Sequence, residues 1–178
     1  ALTESEERVF KAVMVDVGVG VDGGNVFYGT IGRNDVTDPK QAHMANTVIG
    51  DTVNSASRLE GLTRIYHIPV VVSEYIKDEV SKESQRYKFF EIDTVQVKGK
   101  TQGKKIFFPF DTEDMDAALL DKYAVYEDGL KAYYDGDWKT ARKFFKDCEL
   151  DVAEVFLERM GNKAAPEDWS GIWTMTTK

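Results

Sequence analysis

The spacing of apolar residues changes along this chain, and each change marks an element. Val13–Val21 is dense in β-branched residues and bounded by turn formers, which predicts a mostly buried strand. Asp22-Gly23-Gly24-Asn25 predicts a hairpin turn, with Asn25–Ile31 as the returning strand. Residues 33–46 read as a polar, irregular loop containing Asp38-Pro39. The period then lengthens to that of a helix. Val53, Ala56, Leu59, Leu62 and Tyr66 form a stripe running from Asp51, the expected N-cap, to about Tyr66. Ile68–Val72 predicts a short buried strand, and Ser73 can cap a brief helix through Val80. Tyr87–Val97 and Lys105–Phe110 read as two further strands joined by a turn over Lys98–Gly103.

Beyond residue 112 the pattern is helical throughout. Leu119, Leu120, Tyr123, Tyr126, Leu130 and Tyr134 keep a spacing of three to four from Met115 to Tyr134. Asp135-Gly136-Asp137 stops that helix and caps the next, whose stripe is Trp138, Ala141, Phe144, Phe145 and Cys148. A third helix is expected over Asp151–Met160, followed by an extended end. The order β-β-α-β-(α)-β-β predicts an α+β sandwich, mainly antiparallel with helices on one side, followed by a small all-α hairpin extension. The expected division is 1–112 and 113–178.

Charge supports that division. Residues 1–110 carry 15 acids and 14 bases, whereas residues 111–178 carry 16 acids and 9 bases, so nearly all of the net −8 lies in the helical region. An acidic chain is a poor partner for nucleic acid, which needs a basic surface to displace counterions. The one cysteine, Cys148, excludes an intramolecular disulfide and a zinc ribbon. No apolar run reaches the roughly 18 residues of a membrane helix, and no secretory signal pattern opens the sequence, so a cytoplasmic chain is expected.

Three segments could carry chemistry. The glycines Gly18, Gly20, Gly24, Gly29 and Gly32 let strands turn tightly and let backbone approach a ligand or a partner chain. Equally, a plain hairpin can require them; they match neither a dinucleotide fingerprint nor a P-loop. In the segment Thr47–Glu60, Asn54 and Arg58 are four apart and project from one helix face. An amide and a guanidinium so placed can hold a sugar oxygen and a phosphate, or can be ordinary exposed polar residues. Val97-Lys98-Gly99-Lys100 puts lysines in a glycine turn, within reach of a polyphosphate or merely solvated.

In order and spacing, the three segments (VGVGVDGGNVFYGTIG, TVIGDTVNSASRLEGLTRIYHIPVVVSE and VKGK) resemble the class III nucleotidyl cyclases, the adenylyl and guanylyl cyclases, over residues about 13–110. The resemblance implies a partial ferredoxin-like fold and conversion of ATP to cyclic AMP and pyrophosphate. It implies that Asn54 orients the ribose and that Arg58 stabilises charge on the α-phosphate. It further implies that Lys98 binds the terminal phosphates and that Thr47 stands where the purine is chosen, as in adenylyl rather than guanylyl cyclases. Two Mg or Mn ions are implied for the complete enzyme. Their aspartates lie upstream of Gly18 in the family, where this chain has only a short acidic lead-in from Thr3 to Glu7. No metal ligand is therefore expected here: Asp16 and Asp22 read as structural, and His43 and His67 as surface residues. The chain alone is expected to be inactive.

A homodimer partner is also implied, with an upstream regulatory or sensor domain. Without the family's first βαβ unit a sheet edge and part of the core are exposed, so a non-native or swapped dimer is expected for this chain. The 33–46 loop stands where the family has an arm that reaches the partner. The helical region is similar to an extension that follows many bacterial cyclase domains, and locally to one tetratricopeptide-like hairpin. One such unit cannot bury its own face, so it should pack on the sheet, on a second chain or on an upstream domain. The alternatives are a non-catalytic dimerisation or signalling module of cyclase fold, or a guanylyl cyclase.

Overall fold

The computed structural model describes residues 17–32, 44–96, 103–114 and 116–174. A five-stranded sheet and a separate two-stranded ribbon share the strands. The sheet contains β1 (Val19–Val21), β4 (Val70–Ser73), β5 (Tyr87–Gln96), β6 (Lys104–Asp111) and β7 (Trp173–Thr174), in the order β1-β4-β6-β5-β7. The β1–β4 and β5–β7 pairs are parallel, whereas β4–β6 and the long β5–β6 pair are antiparallel. The ribbon is β2 (Phe27–Gly32) antiparallel to β3 (Met44–Ile49). The helices are α1 (Asp51–Tyr66), α2 (Glu74–Glu83), α3 (Ala117–Tyr134), α4 (Trp138–Asp147) and α5 (Asp151–Met160). The architecture is α+β, as the element order led us to expect.

Three local expectations are corrected. The Asp22–Asn25 turn does not pair the strands on either side of it: β1 joins the main sheet, while β2 leaves it and pairs with β3. β3 occupies residues read as the end of a loop and the approach to the helix; the remainder of that loop, 33–43, lies outside the described residues. Its strand character comes from pairing along the whole of β2, with Phe27 opposite Ile49 and Gly32 opposite Met44. Asp51 is the first residue of α1 rather than its cap. Gly50 holds the N-cap position without a side-chain bond, and Asp51 contributes its charge to the first turn, where the helix dipole favours an acid.

Other boundaries follow the caps. Ser73 accepts from the Ile76 amide at the start of α2, and Asp137 accepts from the Thr140 amide at the start of α4. Gly136 takes a left-handed φ of 82° between α3 and α4, which glycine adopts without strain. His67, expected at the surface, is exposed and closes α1.

Of the three places open to the helical region, it occupies the sheet. One hydrophobic core contains Val71, Ile92 and Ile106 of the sheet together with Tyr126, Phe145 and Phe156 of the helices. The Tyr123 ring stacks on Phe90 at 4.4 Å, and the Tyr126 hydroxyl donates to the Ile92 carbonyl at 2.7 Å. Cys148 is buried as a free thiol. A register shift between Glu91 and Asp93 sets Asp93 opposite Ile106, and its carboxylate is fully buried.

Candidate active site

Close packing determines how α1 presents its side chains. A Cβ at Gly20 would overlap the Glu60 amide nitrogen and the Ala56 carbonyl, and one at Gly18 would overlap the Thr63 hydroxyl. The backbone that these glycines admit is therefore that of α1, lying directly on β1. Leu59 and Leu62 point into the core from that seat, which leaves Asn54 and Arg58 exposed on another part of the helix surface.

Asn54 and Arg58 line a common cleft of about 550 Å³. The turn after β1 contributes Asp22 and Gly23 to it, the start of α2 contributes Tyr75, and β6 contributes Lys104 and Lys105. A side chain at Gly23 would strike the Tyr75 ring, so the turn and α2 meet closely at the cleft's edge. Neither the Asn54 nor the Arg58 side chain has a hydrogen-bond or ion-pair partner among the described residues; Arg64, further along α1, is held by Glu60 at 2.8 Å.

The Asp22 carboxyl is the most constrained acid in the cleft. Burial pushes its pKa up, but hydrogen bonds from Ser55, Ser73 and the Gly23 amide outweigh this, with help from the charge of Lys104. The net direction is down, so Asp22 is ionised at neutral pH. It ties the turn to α1 and to the cap of α2. Read from the sequence as a turn residue, it also faces the cleft, and only the fold reveals that.

The other expected site residues lie elsewhere. Thr47 is on β3, paired with Gly29 of β2, and does not line the cleft. Lys98 and its turn up to residue 102 lie outside the described residues, as do Asp16 and His43, while Gly103 lines the cleft. Lys104 and Lys105 were not singled out in the sequence. Their signal there is slight, two more cations six and seven residues past Lys98, at the head of a strand.

Divalent ions are general in the family that this sequence resembles. Among the described residues, no group of three or more His, Cys, Asp or Glu side chains could hold one. The Asp22 oxygens are already engaged by three donors. The described residues therefore do not fit a metal centre. Among them, too, no helix is long and apolar enough to cross a membrane.

Comparison with known proteins gives the cleft a context. A 141-residue stretch is 26% identical to the terminal-differentiation specific adenylate cyclase of Dictyostelium discoideum, covering 78% of this chain and 6% of that protein. That stretch is too long to lie within residues 1–110, so the similarity includes part of the helical region. A 94-residue stretch is 36% identical to an adenylate cyclase of Anabaena cylindrica, covering 52% of this chain and 17% of that protein. A third match, 31% identical over 71 residues, is to the human cell division cycle protein 16 homolog, of which it covers 11%. The chain thus spans a small part of each relative. The model of the adenylate and guanylate cyclase catalytic domain matches residues 1–110, and the chain belongs to that family.

Proposed function

We propose that residues 1–112 form part of an adenylyl cyclase active site that converts ATP to cyclic AMP and pyrophosphate, with residues 113–178 as its bracing extension. The observation that carries this reading is the convergence of Asn54 and Arg58, both unpartnered among the described residues, on one cleft that also contains Lys104. The ribose 3′-hydroxyl gives up its proton to solvent water as its oxygen bonds to the α-phosphorus. The bond from that phosphorus to the bridging oxygen breaks, and pyrophosphate leaves. Asn54 orients the ribose, and Arg58 meets the charge that develops on the α-phosphate oxygens. The resemblance gives the distal phosphates to Lys98 and the choice of adenine over guanine to Thr47, which stands on β3 outside the cleft lining. A guanidinium fixed before the reaction stabilises that charge without reorganising at the barrier.

The described residues offer no metal-ligand set, so aspartates supplied from elsewhere would hold the two Mg or Mn ions, which would neutralise phosphate charge, and a homodimer completes the site. We place the protein in the cytoplasm under an upstream sensor domain. The purified chain with ATP and either ion should form no cyclic nucleotide, and clear turnover would refute this. In the full-length protein, Arg58→Ala should lower kcat by on the order of a hundredfold with little loss of protein. Unchanged turnover would remove Arg58 from the chemistry.

A second reading, a non-catalytic dimerisation module, is favoured by the ribbon. Phe27 and Tyr28 are 69% and 67% exposed there, beside exposed Ile31, Val48 and Ile49. Such an apolar patch invites another chain. A full-length protein that dimerises but makes no cyclic nucleotide would support this reading over the first.

A further inference from the structure

The cleft holds a cation to which the resemblance assigns no role. Lys104 opens β6, and its register partner on β5, Val95, lines the same cleft, so strand pairing fixes the lysine's backbone in the wall. The lysine is exposed and has no ion pair among the described residues, whereas Lys105 is bound to Glu91 at 2.7 Å. The acid whose pKa its charge lowers is Asp22, whose oxygens already accept from Gly23, Ser55 and Ser73. Two cations, Arg58 and Lys104, therefore line one cleft with their charges unmatched at bonding distance. Charged groups left in that state are suited to an anion carrying more than one charge.

We propose that Lys104 is a further phosphate anchor of this site, beside Arg58 and the Lys98 assigned above, contacting a nucleoside polyphosphate beyond its α-phosphate. The proposal rests on the nucleotide reading above and adds to it a residue that reads the length of the phosphate chain. Arg58 lies on a helix and Lys104 on a strand, so the two reach the cleft from separate elements and can engage separate phosphates. A monophosphate needs one of them; a triphosphate uses both.

The test is calorimetric titration of the chain with ATP and with AMP, comparing wild type with Lys104→Gln, Lys104→Arg, Arg58→Ala and, as a control for loss of an exposed charge, Arg64→Gln. Lys104→Gln should weaken ATP binding about tenfold and AMP binding less than about twofold. Lys104→Arg should recover most of the ATP affinity, and Arg64→Gln should match wild type. Retained AMP affinity also shows that the variant is folded. An unchanged ratio of ATP to AMP affinity in Lys104→Gln overturns the proposal, as does equal weakening of both. If Arg58→Ala weakens ATP binding while Lys104→Gln does not, only the Lys104 anchor falls. If wild type binds neither nucleotide, the nucleotide reading falls and takes the anchor with it.

Discussion

Single atoms determine where α1 lies. A methyl group at Gly20 would meet the backbone of Ala56 and Glu60, which cannot rotate away as a side chain can. Gly20→Ala should therefore displace α1 or unfold the chain, at a cost of about 1–3 kcal/mol typical of overpacking. A urea denaturation curve will show this as a lower midpoint, and a wild-type midpoint would mean that the helix has room to spare. Asn54 and Arg58 should move with α1, so ATP affinity is expected to fall as well. In the sequence these glycines could equally have served a ligand, a partner chain or a plain hairpin. What they admit is a helix some forty residues later, and no local pattern reports so distant a contact. Arg58 and Asn54 were legible because their spacing depends on α1 alone.

Between elements, one buried cluster joins the helical region to the cyclase part. Arg159 of α5 donates to the Asp93 carboxylate of β5 at 2.5 Å and to the Tyr66 hydroxyl of α1 at 2.7 Å. Tyr66 in turn donates to Asp93 at 2.6 Å, and the Thr94 amide donates to the other Asp93 oxygen at 2.7 Å. Burial raises the Asp93 carboxyl, against the pull of Arg159, Tyr66 and Thr94. The Asp93 side chain is fully buried and that of Arg159 is 8% exposed, so removing either partner strands a charge away from water. Arg159→Met should cost about 3–5 kcal/mol, and adding Asp93→Asn should return part of that loss. Denaturant midpoints for the two single variants and the double variant complete the cycle; strict additivity would show that the pair is not coupled. Sequence patterning missed this cluster because Asp93 is buried through the register shift in β5, and an irregular strand does not advertise which way a residue points. The bounds of α5 match the helix expected over Asp151–Met160.

For the whole molecule, the aromatic core predicts the response to alkali. Burial raises the hydroxyls of Tyr66 and Tyr126 well above the usual tyrosine range and pushes Tyr133 up to about 12. These protons are held more tightly in the folded state than in the unfolded state, where tyrosine titrates near 10. Their contribution to stability is thus fully present below about pH 10 and is lost as the pH rises toward and past 12. Phenolate absorbance should rise for exposed tyrosines first, then cooperatively with unfolding. A single smooth titration near 10 would mean that the core is open to solvent. Because the sheet and helices share that core, the acidic helical region acts as part of the same folded body as the near-neutral cyclase part.

The central claim, that the cleft beside α1 receives a nucleotide polyphosphate, is tested most directly by titrating the labelled chain with ATP and following backbone amide shifts. The account predicts saturable changes concentrated at Asp51–Arg58, at the Asp22–Gly23 turn and at Lys104, with the amides of α4 and α5 unmoved. Saturable shifts confined to the helical region, or no shifts at millimolar ATP, would contradict it.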